Sequence, residues 1–112
     1  TLAARGIRVG VLAPIPYPGL EVPEQMARDI VLGVSAEKGQ SLQDYTAQNR
    51  DALQLLQGLQ GAQVIAVAPI LCKDGFCPFA QGDMPVFVDS SHLSPIGALS
   101  LKPALDEFFA AP

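Results

Sequence analysis

The chain of 112 residues is 49% hydrophobic and 16% charged, which fits one folded domain with a modest core and excludes a disordered tail. Its net charge is −4, with seven basic residues scattered singly, so there is no cationic stripe for a phosphate backbone and no case for nucleic acid as a partner. No apolar run approaches the roughly 20 residues needed to cross a bilayer. The opening "TLAARGIRVG" shows neither a signal peptide nor an initiator methionine and reads as a piece of a longer chain.

Taken in order, "GIRVGVLAPIP" holds a continuous apolar run closed by prolines, as suits a strand buried on both faces. "YPGLEVPEQMARDIVLGV" follows as a Pro-Gly turn and a short helix from about Pro23. The clearest helix comes next. Ser41 and Asp44 resemble a capping box, Tyr45, Asn49, Ala52, Leu53, Leu56 and Leu59 recur at helical spacing, and Gly61 is a natural stop. "AQVIAVAPIL" is expected as a second buried strand and "MPVFVD" as a third, short one. The closing segment "HLSPIGALSLKPALDEFFA" has Ser94 as helix N-cap and Pro95 at the first helical position, and Pro103 should kink or restart the helix. Phe108 and Phe109 read as the face that docks this helix on the sheet.

Strands alternating with helices predict an α/β layer architecture with a mostly parallel sheet. Two or three strands are few for that class, so the chain reads as part of a larger sheet whose other strands precede Thr1. The segments after the three strands are "PIPYPG", "PILCKDGFC" and "DSSH". In a parallel sheet all three fall at the carboxyl ends of the strands, the edge at which open α/β sheets place their sites.

Cys72 and Cys77 lie in "LCKDGFCPF", separated by four residues with Gly75 supplying a turn. The spacing is wrong for a Cys-x-x-Cys redox pair, and short enough for a disulfide; free or buried thiols are the alternative. A disulfide would imply an oxidising compartment. One histidine and two cysteines fall short of the about four ligands of a zinc site, and no cofactor is called for.

The only histidine, His92, follows Asp89 by three residues in "VFVDSSHLSPIGA". Such a pair is common, and taken alone it describes a turn in which Asp89 and His92 satisfy local backbone groups. Its position, between a buried strand and a capped helix on the expected functional rim, favours chemistry. A carboxylate beside a histidine fixes the tautomer and stabilises the imidazolium formed when the ring accepts a proton.

The stretch "D-S-S-H-L-S-P-I-G-A" resembles the Asp-His block of the SGNH hydrolase superfamily, also called GDSL-type esterases. More narrowly, "C-K-D-G-F-C-P" ahead of "V-F-V-D-S-S-H-L-S-P-I-G-A" is similar to the C-terminal part of the SGNH domain attached to membrane acyltransferases, which O-acylate bacterial surface glycans such as lipopolysaccharide O-antigen. The "RVGVLAPIPYPG" strand and loop and the "R-D-A-L" helix fit the same domain, so the resemblance runs from about Gly6 onward. It implies a flavodoxin-like fold, a three-layer sandwich with a mostly parallel sheet whose N-terminal strands are missing here. Residues 1–112 would then be the C-terminal portion of a single SGNH-type domain. It also implies that His92 is the general base and Asp89 its orienting partner in a Ser-His-Asp triad. The implied partners are an acyl donor, acetyl above all, a glycan acceptor and a membrane-anchored parent, in the periplasm or another extracytoplasmic compartment of a bacterial envelope.

The family's Gly-Asp-Ser nucleophile block is absent, and so is its Gly-x-Asn-Asp block, since the sole asparagine is Asn49. Ser90 and Ser91 are poor substitutes, because a nucleophile must meet the base while oxyanion donors face the same carbon, and neighbours of the base in one turn rarely manage that. The expectation is therefore a half-site whose serine and oxyanion donors come from a preceding segment, nearly inactive alone. An esterase of the same fold, a non-catalytic binding module with a degenerate site, and a small redox domain built on the cysteines are the rival readings. Pro14, Pro16 and Tyr17 are expected to form a stiff turn that could wall an acyl or sugar site.

Overall fold

The computed structural model of the chain describes residues 1–35 and 37–110. After a 3-10 turn at Ala3–Arg5, the elements are β1 (Gly10–Leu12), α1 (Val22–Leu32), β2 (Gly39–Ser41), α2 (Leu42–Gln48), α3 (Arg50–Gln57) and β3 (Gln63–Ile65). Then come α4 (Ala68–Leu71), β4 (Phe76–Pro78), β5 (Ala80–Gln81), β6 (Met84–Pro85), α5 (Pro95–Ser100) and α6 (Lys102–Ala110). The architecture is mixed α/β with three two-stranded sheets. β1 and β3 are parallel, with Val11 opposite Val64, while β2–β4 and β5–β6 are antiparallel.

The parallel pair is the one expected from the two apolar runs. The third run behaves differently. Gly82, at φ 60°, turns the chain so that Met84–Pro85 pairs antiparallel with Ala80–Gln81, and Phe87 then bridges Leu93. The N–H of Val86 donates to the Phe79 carbonyl at 2.8 Å and its carbonyl accepts the N–H of Ser94 at 2.8 Å, so its backbone is satisfied by the hairpin and the returning chain instead of a neighbouring parallel strand. Val86 and Phe87 are nevertheless buried, packed with Val22 and Phe79, and the Phe79 and Phe87 rings meet edge to face at 5.8 Å.

Two other expectations shift in detail. The second apolar run stops as a strand at Ile65 and continues as α4, because Pro69 sits in the first turn of a helix, where its missing N–H costs nothing. The long predicted helix breaks in two at Asn49, whose side-chain amide bonds the carbonyl of Tyr45 at 2.9 Å in competition with the helix ladder. It ends at Gly58, ahead of the expected stop at Gly61.

Other local signals are realised as read. Ser41 Oγ accepts the N–H of Asp44 at 3.0 Å. Ser94 Oγ accepts from Gly97 N at 3.1 Å, and α6 restarts at Lys102–Pro103. Phe108 docks at the sheet, with its ring 2.9 Å from where a Cβ of Gly10 would be and the Arg8 guanidinium over it, whereas Phe109 is exposed.

Most of the buried apolar residues fall into three small clusters, two of which share the half-buried Ile15 and Leu93, while Ala13, Ile65 and Phe108 are buried outside them. The Cα radius of gyration is 16.1 Å and the extents are 56 × 27 × 23 Å, against about 13 Å expected for a compact domain of this length. Leu12 and Val64, on paired parallel strands, remain 42% and 37% exposed. No helix among the described residues is long and apolar enough to cross a membrane.

Candidate functional site

Phe87, 1% exposed, anchors the chain immediately before the Asp-Ser-Ser-His turn. Ser94, buried at 5%, anchors it just after: its hydroxyl donates to the Pro85 carbonyl at 2.7 Å while capping α5. Between these anchors the N–H of Val88 bonds the carbonyl of His92 at 2.9 Å. Residues 89–92 therefore form a tight projecting loop whose ends cannot move independently.

Within the loop, one carboxylate organises the rest. Asp89 Oδ1 accepts the backbone N–H of Ser91 at 2.8 Å and of His92 at 2.7 Å, and Oδ2 lies 2.8 Å from His92 Nδ1. The backbone N–H groups of Ser91 and then His92 hold the Asp89 carboxyl below its ordinary value, with the imidazole adding a smaller pull in the same direction. Asp89 is thus ionised at neutral pH. An ionised Asp89 facing Nδ1 favours the tautomer with its proton on Nδ1, which leaves the Nε2 lone pair available as a base. The His92 side chain is 75% exposed, and Nε2 has no partner among the described residues.

Neither Ser91 nor Ser94 faces that nitrogen. Ser91 Oγ lies 3.3 Å from Nδ1, the nitrogen already bound to Asp89. The hydroxyl of Ser94 is committed to the Pro85 carbonyl and the Gly97 amide. Neither has the disposition of a nucleophile activated by His92.

The proline-rich loop after β1 does meet this turn, since the Gly19 N–H donates to the Ser90 carbonyl at 3.3 Å. Gly19 has φ 68°, the left-handed conformation that glycine supplies cheaply. The cysteine loop is tied in indirectly. Cys72 and Cys77 form a disulfide, with Lys73 and Phe76 paired across the turn at Asp74–Gly75. Tyr45, 2% exposed, packs with both cysteines, and its hydroxyl donates to the Pro14 carbonyl at 2.6 Å. The three segments expected at one rim are therefore linked, with the proline loop as the common member.

Sequence reasoning missed two residues of this assembly. Gln40 accepts the Tyr17 N–H at 3.2 Å through Oε1 and donates to Gln48 at 2.7 Å; a polar residue in a three-residue strand gives no local signal. Gly97 packs against Val86 with no room for a side chain, which the "SPIGA" pattern could have suggested as a close helix contact. An apolar cavity of about 430 Å³ lies between α1 and the β5–β6 hairpin, lined by Leu20, Val22, Met26, Ile30 and Phe79. Asp89 and His92 do not line it; they stand on an open surface. No cluster of three or more metal-ligating side chains occurs among the described residues.

A family model described as "SGNH domain (fused to AT3 domains)" matches residues 1–107. Nothing among curated proteins or solved structures matches the chain.

Proposed function

The chain belongs to the SGNH family in its form fused to AT3 domains, an acyltransferase-associated module, and from that premise we propose that it supplies the base half of a Ser-His-Asp triad for O-acyl transfer to a bacterial surface glycan. The carrying observation is the Asp89–His92 pair: a clamped carboxylate 2.8 Å from Nδ1, with Nε2 open. His92 is the general base and Asp89 its orienting partner. The nucleophilic serine and the oxyanion donors come from a preceding segment of the same SGNH domain, of which these residues are the C-terminal portion.

In the complete site, the serine hydroxyl attacks the carbonyl of an acyl ester, acetyl above all, as its proton passes to His92 Nε2. The tetrahedral intermediate collapses to an acyl-serine, and the leaving group takes the proton from the imidazolium. A sugar hydroxyl then gives its proton to Nε2 and attacks the acyl-serine. The products are the acylated glycan and the free serine, whose oxygen recovers the proton from His92. Water in place of the sugar gives an esterase by the same steps.

The half-site reading draws support from the architecture. β1 and β3 pair only with each other among the described residues, so each offers an unpaired backbone edge, and their apolar side chains are incompletely covered. Added strands on these edges would complete a three-layer sandwich with a mostly parallel sheet. The parent is membrane-anchored through its acyltransferase part, and the disulfide fits a periplasmic or other extracytoplasmic location.

The test is labelling by a fluorophosphonate probe with the modified peptide mapped by mass spectrometry, on this chain and on the full-length parent. Labelling of an upstream serine in the parent only, abolished by His92→Gln, is the expected result. Labelling of Ser90 or Ser91 in the isolated chain would overturn the half-site assignment. A parent that does not label would leave a binding module with a degenerate site. Acylated glycan against released free acid separates transferase from esterase.

A further inference from the structure

The exposed ring of Tyr17 has no role in holding the chain together. It belongs to none of the three core clusters and is 50% exposed, and its hydroxyl has no partner among the described residues. Yet the backbone beneath it is among the most constrained in the molecule. Pro16 and Pro18 flank it, which fixes two φ angles and confines Tyr17 itself to extended conformations. Its N–H is held by Gln40 Oε1 at 3.2 Å. Upstream, the Pro14 carbonyl is held by the buried Tyr45 hydroxyl. Downstream, the Gly19 N–H is held by the carbonyl of Ser90, inside the turn that carries Asp89 and His92. The ring edge lies beside Gly19: a β carbon there would be 3.4 Å from Tyr17 Cε1.

A large aromatic side chain on a pinned loop, two residues from the Gly19 N–H that bonds the catalytic turn, has the properties of a recognition surface. The backbone part of the ordering cost is already met before a ligand arrives. An aromatic ring with a free hydroxyl presents an apolar face and a polar tip, which matches a pyranose: C–H groups on the flat side and hydroxyls around the rim. A short acyl group asks instead for an enclosed apolar slot, which an open platform does not provide.

We propose that Tyr17 is the platform on which the acceptor sugar stacks beside His92, and that it thereby sets how the acyl group divides between glycan and water. The inference rests on the acyl-transfer reading above. It adds the residue that distinguishes a sugar acceptor from water.

The experiment uses the full-length parent, with para-nitrophenyl acetate as acyl donor and methyl glucoside, methyl galactoside and methyl rhamnoside as acceptor probes. Free acetate and acetylated glycoside are measured separately. Tyr17→Ala should raise the acceptor KM about tenfold or more, lower the share of acetyl reaching sugar, and leave acetate release and fluorophosphonate labelling within twofold of the wild type. Tyr17→Phe, which keeps the ring, should restore most of the acceptor KM. The assignment is overturned if Tyr17→Ala leaves acceptor KM and partition unchanged, if transfer and hydrolysis fall together, or if the wild type releases acetate but acetylates none of the glycosides. A wild-type parent that neither labels nor releases acetate fails at the earlier step, the acyl-transfer reading itself, and takes this assignment with it.

Discussion

A β carbon placed on Gly97 would stand 2.3 Å from the carbonyl oxygen of Val86. The same oxygen accepts the N–H of Ser94 at 2.8 Å. The first turn of α5 is thus pressed against the strand-like segment that delivers Asp89, and this contact fixes where the Asp-His loop leaves and re-enters the fold.

Gly97→Ala follows as a sharp test. Alanine is favoured over glycine in a helix by roughly 1 kcal/mol, which by itself would stabilise. Here the obstacle is backbone and cannot rotate away, so overpacking at about 1–3 kcal/mol or more prevails. The variant should lose stability, by about 2 kcal/mol in denaturant unfolding of the full-length protein, and its loop amide resonances should move. Equal or greater stability would show that α5 has freedom to retreat from Val86.

Ser94→Ala removes two bonds at once, the cap to Gly97 N and the donation to the Pro85 carbonyl. Loss of an N-cap and of a buried partner together costs about 1–3 kcal/mol. Ser94→Thr keeps the hydroxyl and should cost less. The comparison is read by chemical denaturation, and parity between the alanine and threonine variants would mean the hydroxyl contributes little.

These local devices were legible in the sequence because each is written in nearby residues: Ser94 before Pro95, Pro103 just past the end of the helix that Ser94 starts, Gly75 between the cysteines, Asp89 three before His92. What was illegible depends on distant partners. The run containing Val86 and Phe87 is apolar enough for a parallel strand, and distant partners decide that it pairs elsewhere: the Phe79 carbonyl takes the Val86 N–H, and the returning Ser94 N–H takes the Val86 carbonyl. "GQS" has no apolar signal, yet Gly39–Ser41 pairs with β4 because Gly39 accommodates the Phe76 ring, which would lie 2.4 Å from a β carbon there. The Asp-His pair could be found from spacing, whereas its attachment to the proline loop through Gly19 and Ser90 could not.

The disulfide closes a loop between residues only five apart. Chain-entropy reasoning for so short a loop gives about 2 kcal/mol of stabilisation. Because Tyr45 packs on both cysteines, the Cys72→Ala/Cys77→Ala double variant should also weaken the hold on Pro14. Equilibrium denaturation with and without reductant checks the first expectation, and faster exchange of the proline-loop amides checks the second. Unchanged exchange beside lowered stability would confine the disulfide's influence to its own loop.

Burial raises the Tyr45 hydroxyl pKa above its ordinary value of 10.0. A group whose folded pKa is raised contributes stability that is fully present below its unfolded value and is lost as pH rises through the folded one. The protein should therefore lose stability above about pH 10, with a phenolate absorbance phase later than that of free tyrosine. Tyr45→Phe should abolish that phase and flatten the alkaline fall in stability. It should cost about 1 kcal/mol at neutral pH through the bond to Pro14. Persistence of the late phase in the variant would assign it elsewhere.

Asp89 titrates with the opposite sign. Its carboxyl lies below the ordinary value near 3.8, chiefly because of the Ser91 and His92 backbone N–H groups. Its contribution to the loop is therefore present above that value and is lost as pH falls through the lowered one. NMR titration of the side-chain carboxyl should place the midpoint below 3.8. His92→Gln, which keeps both backbone donors, should preserve most of the depression; a return to the ordinary value would make the imidazole its main cause. Asp89→Asn keeps an oxygen for the backbone donors, so the loop should survive. The amide cannot stabilise an imidazolium, and presenting its NH₂ to Nδ1 would favour the wrong tautomer. Acyl transfer by the full-length parent should then fall by on the order of 10³–10⁴ with the fold intact by circular dichroism. Activity within tenfold of the wild type would remove Asp89 from the triad and leave it as the organiser of a turn.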